Sequence, residues 1–438
     1  MSINHRTFRF HILGLAHLPV TEKYNSCAFT QKIHKLCEML MSKGHKVFLY
    51  ASEGSDAKCT ELIETHKMKQ IRDAFGDKDY KGTEEIGYDW QNQQFRHDFN
   101  DYAKPIRQYV IHRMIAEVLI RKQPGDFLLL TMGNYHKDVK DAVGLYLSCE
   151  SGIGYYGHCA PFCAFESSFI LHYQMGRSNK DSPLGSHYHR VIPNYYRLAD
   201  FPFVEKPAGD SRHAGEPYFL FLGRIIYNKG IETAIYATKK ANVRFIIGGQ
   251  GGTYDKEKHT LTVDNNVFEL GEKQEFIGFV GPEQRKTLMG NAVATIAPTY
   301  YMEPFCGVNA ESQLCGTPVI TTDFAAFTDT VEHARTGYRC NSSNDFVQAI
   351  KHAHLLDREY ICKRAQALWS MEAVNEQYEK WWQDLYDVYE STLLTEEQKK
   401  IDQGGFFKIR TEEEEHAAGT VESFFDARKP FDQLSITI

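Results

Sequence analysis

Long apolar runs are missing from this chain. No stretch approaches the roughly 18 consecutive apolar residues that a membrane-spanning helix needs, so no span is expected. Regular cysteine spacing is missing too. The ten cysteines form no Cys-x-x-Cys pair and are scattered, whereas disulfide-rich secreted domains are short and dense in cysteine. Reduced thiols in a cytoplasmic protein are therefore expected. Phe8-Arg9-Phe10-His11-Ile12-Leu13 alternates and reads as a strand, not as a signal-peptide core. Asn341-Ser342-Ser343 matches a glycosylation sequon, which has no consequence in the cytoplasm. The composition, 42% hydrophobic and 24% charged, excludes disorder, a collagen-like repeat and a coiled coil as the main architecture.

A positive net charge is also absent. The formal charge is −7, which taken whole disfavours a polyanionic partner. It is unevenly spread: residues 1–200 carry +3, residues 391–438 carry −4, and those between carry −6. The first 200 residues also hold 13 of the 19 histidines. Anionic acceptors, nucleic acid or a membrane surface thus stay open as contacts of the first half. At 438 residues, about two to three domains are expected.

What is present is an α/β rhythm. Phe8 to Leu15 reads as a strand. Asn25-Ser26 can cap a helix with apolar positions Phe29, Ile33, Leu36, Leu40 and Met41, which Gly44-His45 ends. Val47 to Tyr50 is the next strand, so the chain opens with a βαβ unit and implies a parallel sheet. Tyr109 to Ile120 reads as helix, with strands at Phe127–Leu130, Leu145–Leu147 and Val191–Asn194. Residues 72–104 read as an insertion or long loop. Residues 202–217, with three prolines and two glycines, are the best linker candidate. The rhythm then restarts. Strands are expected at 218–222, 244–247, 275–280, 292–297 and 317–320, with helices at 229–240, 283–290, 308–315 and 343–390. Trp369, Trp381 and Trp382 are apolar anchors, and the acidic end, including Glu412 to Glu415, looks peripheral.

Three segments carry chemistry. Gly223-Arg224-Ile225-Ile226-Tyr227-Asn228-Lys229-Gly230 follows a strand. Its glycine lets backbone approach a ligand, and Arg224 and Lys229 can flank a diphosphate; a solvated basic pair at a turn is the alternative. Gly248-Gly249-Gln250-Gly251-Gly252 ends another strand. It suits close backbone approach or a plain tight turn, but lacks the acid of a nicotinamide-cofactor site. Glu303-Pro304-Phe305-Cys306-Gly307-Val308-Asn309-Ala310-Glu311 precedes Gly316-Thr317-Pro318-Val319-Ile320. Gly307 falls where free N–H groups and a positive helix end would face an anion, and Glu311 could accept hydrogen bonds from vicinal hydroxyls. A capping acid plus a surface acid is the alternative.

Taken in order, Gly-Arg-x4-Lys-Gly, a Gly-rich strand end, Glu-x7-Glu and Gly-x-Pro-Val-Ile resemble retaining glycosyltransferase family 4. The likeness covers residues 8–390 and is strongest over 218–340. The resemblance implies the GT-B fold: two Rossmann-like α/β domains facing each other across a cleft, with a C-terminal helix crossing back. The implied division is 1–205 for the acceptor-binding domain, 206–372 for the sugar-nucleotide domain, 373–390 for the crossing helix and 391–438 for the tail. Cleft closure would hinge near 205–217 and near 372.

The resemblance also implies roles. Arg224 and Lys229 would neutralise the leaving diphosphate of a UDP- or GDP-linked sugar. Glu303 would contact the donor sugar and Glu311 the ribose. Backbone N–H groups at Phe305, Gly307 and Val308 would hold sugar and phosphate. Gly223, Gly249 and Gly251 would line the nucleotide pocket, with Phe279 and Val280 near the base. Asn25 and Ser26 would form the acceptor-side loop. No metal and no cofactor are required, and no protein nucleophile is named, because the departing phosphate can take the acceptor's proton.

Two departures bear on this. Glycine usually stands fourth in the Glu-x7-Glu stretch, where this chain has Cys306, so the donor sugar is open. Many members place a first-domain histidine on the donor sugar. Here the place reads Cys149 to Tyr155, so Glu150 or His158 would serve, unless Glu150 is a structural carboxylate and His158 an ordinary loop residue. The expected activity is transfer of a hexose-type sugar to a hydroxyl of a glycan, lipid-linked glycan or protein. Alternatives are transfer to a modified nucleic-acid base, a same-fold epimerase, and a non-catalytic sugar-nucleotide binder. Asp89 to His97 offers aromatic and amide groups to an acceptor, or is a plain surface loop.

Overall fold

The computed structural model describes residues 6–22, 27–75, 105–178 and 186–392. Two parallel sheets organise them. The first contains β1 (Arg9–Leu13), β2 (Lys46–Ser52), β3 (Glu61–His66), β4 (Phe127–Leu130), β5 (Leu147–Ile153), β6 (Phe162–Phe165) and β7 (Arg190–Val191), in spatial order 3-2-1-4-5-6-7. The second contains β8 (Tyr218–Leu222) and β9 (Arg244–Gly248). After a small antiparallel sheet of β10 (Thr253–Asp255), β11 (Thr260–Val263) and β12 (Asn266–Glu269), it continues with β13 (Gln274–Gly278), β14 (Ala294–Ala297), β15 (Val319–Thr322) and β16 (Gly337–Cys340). Its order is 13-9-8-14-15-16. Each sheet reverses direction once, at β1/β4 and at β8/β14. Ligands of such sheets sit at these switch points, outside the C-terminal strand ends.

The reason these segments are strands is two-sided burial. All four residues of β4 and all five of β8 are buried, as a parallel sheet covered by helices on both faces requires. Helix α1 (Ala28–Ser42) buries Ile33, Leu36 and Leu40 against the first sheet, while Phe29 and Met41 are half-buried. Its N-cap is Cys27, which makes no side-chain cap bond; the expected cap, Asn25-Ser26, lies outside the described residues. Helices α2 (Met68–Phe75), α3 (Pro105–Arg121), α4 (Lys137–Val143) and α5 (Ser168–Ser178) complete the first unit. The second carries α6 (Ile231–Ala241), α7 (Pro282–Asn291), α8 (Gly307–Leu314), α9 (Phe327–Thr330), α10 (Ser343–His352) and α11 (Arg358–Trp369).

Helix α12 (Met371–Thr392) returns to the first sheet, as the GT-B expectation requires. Trp382 lies 5.3 Å from Phe10 and 5.5 Å from Phe127, ring to ring, and Trp381 donates its indole N–H to the Tyr188 carbonyl at 2.8 Å. Both tryptophans are essentially fully buried.

Some expectations are corrected. The strand expected at Leu145–Leu147 begins at Leu147 and runs to Ile153, through Ser148, Glu150 and Ser151, whose polarity hides it in the sequence. The segment 202–217 is no loose linker. Val204 donates to the Cys315 carbonyl at 3.1 Å, and Asp210 pairs with Arg244 at 2.9 Å, so it is fastened to the second unit. Of the expected insertion at 72–104, residues up to Phe75 belong to α2; residues 76–104, Asp89 to His97 included, and the tail from 393 lie outside the described residues. The first-half histidines also change meaning: His11, His17, His34, His45, His66, His136 and His189 are buried, so they are not a surface for anions.

Candidate functional site

The two loops at the β8 and β9 ends bind each other by backbone. Gly223 donates to Gly248 at 3.1 Å and Ile225 to Gln250 at 2.7 Å. A Cβ on Gly249 would lie 1.6 Å from the Gly223 carbonyl, and one on Gly251 2.8 Å from that of Ile225. Loop-on-loop packing therefore demands these glycines. Their expected role, removing side chains where a ligand approaches, is not what excludes a Cβ. The 224–230 loop is anchored further by the Asn228 carbonyl, which accepts from Tyr300 at 2.8 Å and Tyr301 at 3.1 Å.

That anchoring fixes Lys229. Its ammonium is bonded to the Glu303 carboxylate and stands 5.1 Å over the Tyr301 ring. Glu303 is buried and Arg224 exposed. Burial, then the neighbouring Tyr156, Glu303 and Arg224, set the Tyr301 hydroxyl, whose pKa is raised overall. So Lys229 and Glu303, expected to serve phosphate and sugar separately, form one pair.

Helix α8 begins beside them. Cys306, at its N-cap, has φ +69°, a left-handed conformation that glycine adopts without the Cβ penalty. That is a physical reason for glycine at this place. Burial, with Glu303 next, pushes its thiol up to about 12. A Cβ on Gly307 would lie 3.1 Å from the Tyr196 hydroxyl and 3.5 Å from Glu311. Glu311 accepts from Arg285 Nε at 2.7 Å and also from its terminal nitrogen. Lys35 of α1 lies 5.1 Å over the Tyr196 ring; burial lowers its pKa and Glu311 opposes this. Arg285, Lys35, Tyr196 and Tyr301 were not visible as site residues, since none belongs to a motif.

Phe305 is buried edge-on against Trp369 at 5.9 Å, and Val280 packs on Gly248 within a core cluster. Phe279 and Val308 are half-buried. The side chains of Phe305 and Val280 are thus core, and only their backbone faces remain for a ligand.

In the first unit, Glu150 is fully buried. It accepts from the amides of Cys159 at 2.5 Å and Ala160 at 2.8 Å and from the Tyr155 hydroxyl at 2.7 Å. Burial raises its pKa and these bonds oppose it. All three of these donors belong to its own loop, the arrangement that the structural alternative describes. His158 is half-buried, 6.0 Å from Phe165 and 6.4 Å from His189, with its pKa lowered by burial. It packs within its own unit. Reaching across to the second unit, Ser167 donates to the Pro304 carbonyl at 2.5 Å and the Ser168 amide donates to Asp329 at 2.7 Å. Beside them Lys32 pairs with Glu166. Asn25 and Ser26 lie outside the described residues.

Among the described residues, Asp210, His213 and Glu275 bring ligating atoms within 4.8 Å of one another. Arg212 and Arg244 each bond both carboxylates, so two cations already occupy that charge.

The second unit thus presents a pair of basic loop residues, two carboxylates and a helix N-terminus along one edge. Residues 205–367 match the family model of glycosyl transferases group 1. The group 1 match contains Arg224, Lys229, Glu303 and Glu311, and every strand of the second unit. An uncharacterized glycosyltransferase of Methanocaldococcus jannaschii is 31% identical over 128 residues, 28% of this chain and 31% of that protein. Glycogen synthase of Mycobacterium tuberculosis is 27% identical over 155 residues, 34% of this chain and 35% of that protein. These matches span about a third of each relative's length. Among solved structures, sucrose-phosphate synthase of Thermosynechococcus elongatus superposes with TM-score 0.59 at 16% identity, over 87% of this chain and all of that one. The Anabaena protein HepE, in complex with UDP-glucose, gives 0.53 at 13% identity, over 85% and 98%. The chain has the GT-B fold of these glycosyltransferases.

Proposed function

We propose that this chain is a retaining, metal-independent glycosyltransferase that moves a sugar from a UDP- or GDP-linked donor to a hydroxyl. The observation that carries this is the meeting of Lys229, Glu303 and the α8 N-terminus inside the group 1 match. The diphosphate binds where Lys229, Arg224 and the helix end add positive potential. Glu303 keeps Lys229 oriented and lies against the donor sugar, and Glu311, held by Arg285, takes the ribose hydroxyls. The acceptor oxygen bonds to the anomeric carbon as the carbon–phosphate oxygen bond breaks on the same face. The leaving phosphate accepts the acceptor's proton, so atoms and charge balance without a protein nucleophile. We further propose the division 1–205, 206–372, 373–390 and 391–438, supported by the start of the family match at residue 205. Ten free cysteines support a cytoplasmic protein; no described helix is long and apolar enough to cross a membrane.

Calorimetry with UDP- and GDP-sugars tests this. Arg224→Ala and Glu311→Gln should each weaken donor binding and turnover at least tenfold. Unchanged binding and turnover in both variants would overturn the reading, and an epimerised free sugar from donor alone would replace it.

A further inference from the structure

The cleft mouth carries tyrosines that the donor site does not use. On α5, Phe169 and Tyr173 stand one turn apart, so their rings share a face at 5.9 Å. Tyr173 meets Tyr156 at 5.2 Å, and Arg177 covers Tyr156 at 5.9 Å. On the facing unit Tyr227 and Tyr300 lie 6.3 Å apart. Tyr301 stands between the two sides: its hydroxyl lies near Tyr156, and Lys229 stands over its ring. Tyr156, Tyr173, Tyr227 and Tyr300 are 38–50% exposed. An aromatic ledge therefore runs from one unit to the other past the Lys229–Glu303 pair.

Exposed rings gathered beside a reaction centre mark a binding surface, where scattered single ones would not. Tyrosine offers an apolar face and a hydroxyl at its edge. A pyranose is its complement, with a C–H face and an equator of hydroxyls. A nucleic-acid strand would need a basic groove along the rings. Here Lys229 is paired with Glu303, and Arg177 over Tyr156 and Arg224 near Tyr301 stand singly, not as a continuous groove.

We propose that the ledge is an acceptor subsite for a neutral oligosaccharide of two or more pyranose units. The terminal sugar presents its hydroxyl near Lys229 and Glu303, and the next sugar stacks on Tyr156 and Tyr173. This rests on the glycosyl-transfer reading for the reaction, but not for the binding.

Two measurements on the full chain separate these. The first is binding of neutral gluco-, galacto- and manno-oligosaccharides of one to six units, without donor, by calorimetry. Binding should strengthen from one to three units. Tyr173→Ala should weaken it about tenfold and Tyr173→Phe should not, since the ring face is kept. The second is transfer from the best donor: Tyr173→Ala should raise the acceptor KM about tenfold and leave kcat and donor KM unchanged. Equal affinity of Tyr173→Ala and the native chain, or no gain beyond one sugar unit, overturns the proposal. So does binding of single-stranded nucleic acid in preference, weakening steeply with salt. Loss of transfer in every donor pairing, with oligosaccharide binding intact, would overturn the reaction and leave the ledge standing.

Discussion

The amide of Tyr196 donates to the Trp369 carbonyl at 2.9 Å, and the amide of Met371 donates back to the Tyr196 carbonyl at 3.0 Å. The chain's two passages between its units are thus tied side by side. The segment 205–217, expected as one hinge, is bonded to the second unit; the expected hinge near 372 falls one to three residues from the tie. Met371 opens α12, where proline is tolerated, and Ser370 at φ −62°, ψ 150° is already in the conformation that precedes proline. Met371→Pro should therefore fold, lose this bond and the buried Met371 side chain, and cost about 3 kcal/mol in urea unfolding.

Lys229 and Glu303 test structure against chemistry. Lys229→Met leaves a buried carboxylate without its cation and should destabilise by about 2 kcal/mol. Adding Glu303→Gln should recover most of that stability while donor turnover stays lost. Thermal unfolding and donor turnover, measured on the same three proteins, check this.

Cys306 holds a positive φ. Cys306→Gly relieves it, which offsets the lost packing, so stability should stay within about 1 kcal/mol. Cys306→Val, β-branched and strained there, should lose about 2 kcal/mol. The ordering of the two melting temperatures is the readout.

Acid should unfold the first unit first. Burial, the leading cause in each, lowers His17 and His136 to about 3 and His66 and His189 to about 4. These groups are neutral when folded and take up protons near pH 6.5 when unfolded. Their contribution is fully present above about pH 6.5 and is lost as pH falls towards 4. Asp210 runs later. Burial would raise it, but bonds from Arg212 and Arg244 win and hold it at about 2, so its contribution is lost only below about pH 4. Fluorescence of Trp381 and Trp382, packed in the first core, should change at a higher pH than exchange protection of second-sheet amides.

The sequence by itself determined the α/β class, most of the second sheet and the positions of Arg224, Lys229, Glu303 and Glu311. Two-sided burial writes strands such as Phe127–Leu130 and Tyr218–Leu222 as unbroken apolar runs, and loop motifs keep fixed spacing. Short or polar strands, β3, β6, β10 to β12 and β16, leave no such mark. Only the tertiary structure decided which charges meet. Lys229 and Glu303 are 74 residues apart, Arg285 and Glu311 are 26 apart, and Lys35 and Tyr196 are 161 apart (196 − 35). It also folded the amides of Cys159 and Ala160 onto Glu150, and turned seven histidines from a surface into a core. Contact between distant side chains follows from how two sheets pack, and no local pattern of residues encodes that.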